Sequence, residues 1–343
     1  MSSQVERGPE RGMGNRPTMV DVARVAGVSL KTVSRVVNHE PGVRPETEGR
    51  VRDAVEALGY RANDIARNLR RGSPSATVGL VIEDVRNPFY SGIARAVEQV
   101  ARRHGYLVII ANSDEDPSSE RTAVGTLLGR RVGGLLIVPA GRDHAYLTHE
   151  VHLGTPVVFM DRPADSIDAD EVLLDNVGGA ARATEHLLRH AHRRIGVVGD
   201  PPSVPTIAER VAGYQDTLER AGIAVDESLI RVGAHDVRDA EAATRELLAL
   251  DDPPTAIFAT NNRACIGALR ALRAARIPRA LVGFDDFELA DLLGVTVVRH
   301  DPGEMGRIAA ELLFARLNGD ERPAQRVVLP TELVARGSGE VRP

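Results

Sequence analysis

The sequence predicts a chain of two characters: a small all-α head, built on a helix-turn-helix and followed by a short hinge helix, and a larger α/β core with parallel sheets. Three observations carry this. Residues 18–38, TMVDVARVAGVSLKTVSRVVN, read as two short helices about a tight turn, with polar side chains on the outward face of the second. Residues 63–72, NDIARNLRRG, read as a short basic helix carrying a leucine. From Thr77 onward short apolar runs alternate with helical patterns, as parallel strands covered by helices do.

In the first helix, Thr18 followed by Asp21 has capping-box spacing, with Asp in place of the usual Glu or Gln. Val22, Ala23 and Val25 should supply its apolar contacts. Gly27 permits the turn, and Ser29 can cap the second helix, Leu30 to Asn38. There Val33, Val36 and Val37 recur at helical spacing and should face inward, leaving Leu30, Lys31, Ser34 and Arg35 outward. Pro45 suits the first turn of a third helix, whose Val51, Val55 and Leu58 close the core before Gly59 ends it. A helix with a polar, projecting N-terminal half suits a DNA major groove, where an arginine grips guanine O6 and N7. The same residues also fit a helical hairpin with a solvated face.

Asn63 could cap a two-turn helix, Asp64 to Arg71, ending at Gly72. So short a helix is marginal alone, because nucleation is costly. Leu69 among Arg67, Arg70 and Arg71 suits an apolar wedge driven between base steps in a minor groove. The bland reading is a linker helix whose leucine packs on the core. Ser73-Pro74-Ser75 reads as linker, and the Gly-, Pro- and Arg-rich N-terminus as a disordered tail with no secretory signal.

Charge divides in the same place. Residues 1–75 hold 13 Lys+Arg against 9 Asp+Glu, the remainder 30 against 39, so an anionic partner would be held by the front end. Lys31 is the only lysine. The single cysteine, Cys265, excludes an intrachain disulfide and sits in an apolar helical pattern as a packed thiol. No segment approaches the apolar length of a membrane span, and a cytoplasmic location is expected.

The body's strand candidates are residues 77–82, 106–112, 133–139, 157–160, 194–199, 256–261 and 280–284. Ligands of such folds bind beyond the carboxyl ends of strands. Glu83, Asp84 and Asn87 follow the first run, and Asp161 and Arg162 the fourth. Asn261 and Asp285 end two later runs, and Arg210 begins a helical region.

Together, VDVARVAGVSLKTVSRVVN, its spacing to NDIARNLRRG, and these body motifs resemble the lactose/galactose-repressor (LacI/GalR-type) family of transcriptional regulators over about residues 16–337. The resemblance implies a homodimer reading a near-palindromic double-stranded DNA operator, with recognition helices in successive major grooves and paired hinge helices opening the central minor groove. Leu30 and Lys31 then stand at the positions that vary with operator sequence, Arg35 at a frequent base contact, and Leu69 at the intercalating leucine. A phosphate contact alone is the other reading of Lys31. The implied DNA-facing set is Thr18, Ser29, Leu30, Lys31, Thr32, Ser34, Arg35 and Asn38, with Asn63, Arg67 and Leu69 on the hinge helix.

The resemblance further implies two parallel-sheet subdomains like those of periplasmic sugar-binding proteins, joined by crossovers near residues 173, 299 and 325. The expected organisation is a tail (1–15), a helix-turn-helix domain (16–62), and a hinge helix with linker (63–76). A first subdomain (77–173 with 300–324) and a second (174–299 with 325–340) follow. Effector contacts map to Phe89, Tyr90, Asp161, Arg162, Arg210, Asn261 and Asp285, whose carboxylates, amide and arginine forks suit the hydroxyls of a sugar or sugar derivative. Arg162 could instead only neutralise Asp161, and Asp285 could serve only its turn. The chain also departs from the family: it has no tryptophan, so no such ring near residue 230; Asn262 replaces a usual aspartate; and AARIPRALVGFDD is short. Without leucine heptads after the last strand, the expected assembly is a dimer.

Other chemistries lack support. His186, His190 and His192 share a helical stretch, but no cysteine or further carboxylate completes a metal set. GxGxxG, P-loop and G-x-S-x-G motifs are missing, so no cofactor, nucleotide site or serine nucleophile is expected. The reading is a DNA-binding regulator, most simply a repressor of a carbohydrate-type operon, and not an enzyme. An activator of the same family, or one without a small effector, is the alternative; a cytoplasmic enzyme or bare ligand-binding protein is remote.

Overall fold

The computed structural model describes residues 17–38, 40–60 and 76–343. The expected tail and hinge helix, with Asn63, Arg67 and Leu69, lie outside the described residues. The chain divides into two compact units, residues 1–73 and 74–343.

In the first unit, α1 spans Met19–Ala26, α2 Leu30–Val37 and α3 Pro45–Leu58. The capping box at Thr18 and Asp21 opens α1, and Gly27, at φ 64°, closes it in the left-handed region that glycine enters freely. Val22, Ala26, Val33, Val36, Val51 and Ala54 form the core, with Ala23, Val37, Val55 and Leu58 packed around it. Val25, expected inward, is 54 % exposed. The buried stripe of α1 runs through Val22 and Ala26, four residues apart, and turns Val25 away.

In the second unit, β1 (Thr77–Ile82), α4 (Pro88–Arg103), β2 (Leu107–Asn112), α5 (Pro117–Gly129), β3 (Leu135–Ile137), α6 (Thr148–His152), β4 (Val157–Asp161) and β5 (Asp170–Leu174) come first. The chain then runs through α7 (Asn176–Arg189), β6 (Ile195–Gly199), α8 (Pro205–Arg220), β7 (Ile230–Val232), α9 (Val237–Leu248), β8 (Ala256–Ala259), α10 (Asn262–Ala275), β9 (Ala280–Phe284) and β10 (Thr296–Arg299). It ends with α11 (Pro302–Leu317), β11 (Arg326–Leu329) and β12 (Glu332–Val334). These strands make two sheets, ordered β11-β5-β4-β3-β1-β2 and β12-β10-β9-β8-β6-β7. Their pairings are parallel apart from the antiparallel edge β12 on β10. Strands buried on both faces, such as VLIV-rich β1, β4, β6 and β9, read as continuous apolar runs. β5 begins with Asp170 and Glu171, whose carboxylates pair with Arg316 and Arg326, so hydropathy does not announce it.

The chain crosses between sheets at residue 175, at residues 300–301, and between β11 and β12. The third crossing therefore falls at residues 330–331, later than the expected 325, because β11 pairs in register with β5 from Arg326↔Glu171 to Leu329↔Leu174. Arg182 ties two crossings together, donating to Asp175 at 2.9 Å and Thr331 at 2.7 Å. The histidines have structural partners. His192 contacts Thr255 at 2.9 Å and the Val341 carbonyl at 2.7 Å, while His186 lies 2.7 Å from Glu340. Both hold the C-terminal segment. Cys265 is fully buried, and burial pushes its thiol up to about 12.

Candidate functional site

Two surfaces carry the chemistry, one in each unit. In the first unit, Ser29 starts α2: its Oγ accepts from Thr32 N–H at 3.1 Å and lies 2.9 Å from the Thr32 hydroxyl. Ser34 Oγ accepts from Asn38 at 3.2 Å. Positions 30, 31, 34 and 35 recur at one-turn spacing and form one face. Leu30 is 48 % exposed, Lys31 and Arg35 are exposed, and Ser34 is half-buried. The Arg35 side chain is 44 % exposed and its Nε lies 4.0 Å from Glu40, a loose surface pair that a DNA group can replace. Backbone N–H groups at the start of α2 add partial positive charge. Thr18 is occupied with Asp21, accepting its N–H at 3.4 Å.

In the second unit, carboxyl ends of both sheets face a shared cavity of about 30 Å³. Phe89, Tyr90, Asp161, Arg162, Arg210, Asn261 and Asp285, drawn from widely separated parts of the chain, all line it. Asp161 ends β4 and Asp285 follows β9, each in the left-handed region at φ 67°. Such backbone strain recurs where a side chain must be aimed.

Arg162 is almost wholly buried. It donates from Nη1 to Glu115 at 2.8 Å and to the Pro139 carbonyl at 2.9 Å, from Nη2 to Tyr90 Oη at 3.3 Å and to the other Glu115 oxygen, and its Nε stands 3.6 Å from Asp161. Its neighbour Asp161 is therefore only partly neutralised by it: burial still raises that carboxyl, against Arg162 and Arg210. Arg210, inside α8 and not at its start, donates to Asn176 at 2.9 Å and to the Thr260 carbonyl at 2.6 Å. It lies 3.7 Å from Asp285 and 3.7 Å from the Phe284 ring centre. Burial would raise Asp285, but Arg210 and His300, which is 3.0 Å away, hold it below the usual carboxylate range. Phe89 meets Tyr90 edge-on with centroids 4.8 Å apart.

Several cleft residues were not in the expected effector set. Asp200 follows β6 as Asp161 ends β4 and Asp285 follows β9, a repeated strand-then-aspartate pattern that could have revealed it. It accepts from Asn261 at 2.5 Å. Asn262 donates to Asn87 at 2.8 Å, and Arg263 reaches Glu83 at 2.7 Å and Asp84 at 2.8 Å, both from the second sheet's side to the first. No sequence pattern marks Arg263, because its partners lie about 180 residues away. Val204 and Ile207 supply apolar wall. A cavity of about 340 Å³ shares Phe89 and Asp285 with the cleft.

Carboxylates, amides and guanidinium forks aimed into one apolar-edged cleft can satisfy a polyhydroxylated small molecule from both sides. Among the described residues no helix is long and apolar enough to cross a membrane.

Comparison with known proteins accounts for both surfaces. Residues 18–63 match the family described as "Bacterial regulatory proteins, lacI family", and residues 75–335 match "Periplasmic binding proteins and sugar binding domain of LacI family". The HTH-type transcriptional regulator CelR of Thermobifida fusca is 35 % identical over 339 residues, covering 94 % of this chain and 98 % of that protein. A solved CelR–cellobiose complex is 33 % identical, covers 94 % of this chain and 100 % of its own, and superposes with a TM-score of 0.70. The lac repressor dimer bound to operator and the anti-inducer ONPF is 26 % identical with a TM-score of 0.82, over 95 % of this chain and 99 % of that one. The relatives are transcriptional regulators and not enzymes. This chain, a DNA-binding regulatory head followed by a sugar-binding-type core, belongs to the LacI family of bacterial transcriptional regulators.

Proposed function

We propose that the protein is a repressor of a carbohydrate-type operon, binding a near-palindromic operator as a homodimer in the cytoplasm and switched by a small polyhydroxylated effector in the cleft. The carrying observation is the convergence of Asp161, Arg162, Arg210, Asn261 and Asp285 from both sheets on one cavity. An effector bridging the sheets biases their relative angle, and the bias alters how the two heads of a dimer meet the operator. Coupling of this kind is worth about 1–3 kcal/mol, or roughly 5- to 150-fold in DNA affinity. The dimer has support in β2, an edge strand with Leu107 74 % exposed and Ile109 and Ile110 also outward. A bare apolar edge invites association, and a second copy would cover it.

Genomic footprinting of the purified protein tests this reading. The expected result is protection of palindromic sites upstream of sugar-metabolism genes. Absence of preference for any genomic fragment over random competitor at moderate salt would overturn it.

A further inference from the structure

The cleft carries more negative charge than its own cations neutralise. Glu83, Asp161, Asp200 and Asp285 line it against Arg162, Arg210 and Arg263, and each guanidinium is already shared. Arg162 holds Glu115 with both Nη atoms while standing 3.8 Å from Glu83. Arg263 divides itself between Glu83 and Asp84. Asp200 has Asn261 as its hydrogen-bond donor and no arginine in contact among the described residues. Asp161, with its side chain 5 % exposed, accepts no side-chain hydrogen bond among the described residues. Burial and then repulsion by Glu115 hold Glu83 up to about 7. Asp200 is likewise held up to about 6 by burial and Glu115.

Room is the second constraint. A cavity of about 30 Å³ admits water and not a sugar ring, so with the sheets at this spacing a ligand needs a side chain moved aside. Arg263 is the cleft arginine with a way out, its side chain 26 % exposed against 5 % for Arg162 and 4 % for Arg210. When it leaves, Glu83 loses its contact from the second sheet and keeps only Arg162, 3.8 Å away, and Asp84 keeps only the exposed Arg86. Taking the closest cation from a buried carboxylate is costly, and a hydroxyl donor only half repairs it, since charge-assisted bonds are about twice as strong as neutral ones. An added anion would worsen the imbalance.

We infer that the effector is a polyol bearing an ammonium group, an amino sugar in chemical class, whose cation takes the position that Arg263 occupies between Glu83 and Asp84. Arg263 is thereby a specificity-determining residue, an internal competitor for the effector's charge. This rests on the cleft being the effector site.

Calorimetry on the full-length protein at neutral pH decides it, with glucosamine and galactosamine set against glucose and galactose, the corresponding uronic acids and the hexose 6-phosphates. At least one amine should bind about tenfold or more tightly than its neutral parent, with acids and phosphates weaker still. Glu83→Gln should remove most of that advantage, and Arg263→Ala, which trims a partly exposed side chain, should tighten the amine severalfold. A neutral or anionic member binding as tightly as the amines, no amine binding, or an amine preference untouched by both variants would overturn the inference. Neutral-sugar binding that Asp285→Ala abolishes would do so while leaving the effector cleft standing. Binding by no probe, with loss of operator preference as well, would remove both.

Discussion

Arg210→Ala removes a buried cation on which the second half of the cleft is built. The guanidinium bonds Asn176 and the Thr260 carbonyl, covers the Phe284 ring, and faces Asp285 at 3.7 Å. Its removal strands Asp285, which is 8 % exposed, with His300 as its remaining close side-chain partner at 3.0 Å. Breaking one side of a buried pair costs about 3–5 kcal/mol. For a unit of this size each kcal/mol lowers Tm by roughly 2–4 °C, so a fall of about 6–20 °C is expected at pH 7. The loss must also depend on pH. In the intact protein Asp285 is held below its usual range, so it contributes stability above the unfolded carboxylate pKa and loses it as pH falls through the folded value. Without Arg210, burial raises Asp285, and Asp161, which Arg210 also restrains, rises with it. Both then accept protons at higher pH, and the gap to the intact protein narrows as pH falls through the carboxylate range. Scanning calorimetry across that range reads both effects. A Tm loss of only a degree or two, or a gap independent of pH, would refute the argument.

Arg35→Ala should weaken operator binding by about 1–3 kcal/mol and relax discrimination at one base pair, read by anisotropy on a set of operator variants; equal loss on every variant would refute base contact. Ser29→Ala removes the cap of α2 and should cost about 1 kcal/mol of stability, measured by chemical denaturation, with Ser29→Gly recovering much of it. Gly213→Ala would set a methyl on the Val177 carbonyl oxygen and 3.1 Å from Ala180 Cβ, forcing α7 and α8 apart at a cost of about 1–3 kcal/mol; unchanged Tm would show that the helices yield freely.

Local chemistry was legible in the chain wherever it is written locally. The cap at Ser29, the left-handed glycines at 27 and 59, and the apolar strands β1, β4, β6, β8 and β9 follow from neighbouring residues, because capping, turn and burial patterns span only a few positions. The seven cleft residues from Phe89 to Asp285 were nameable because ligand groups follow strand ends, and through the family the motifs resemble. Tertiary structure decided the rest. Only pairing with β5 places β11 in the first sheet, only packing turns Val25 outward, and only the folded cleft brings Arg263 to Glu83 across 180 positions. Pattern constrains what each segment can bury, whereas charge partners are chosen by distance in space, and no sequence spacing encodes that distance.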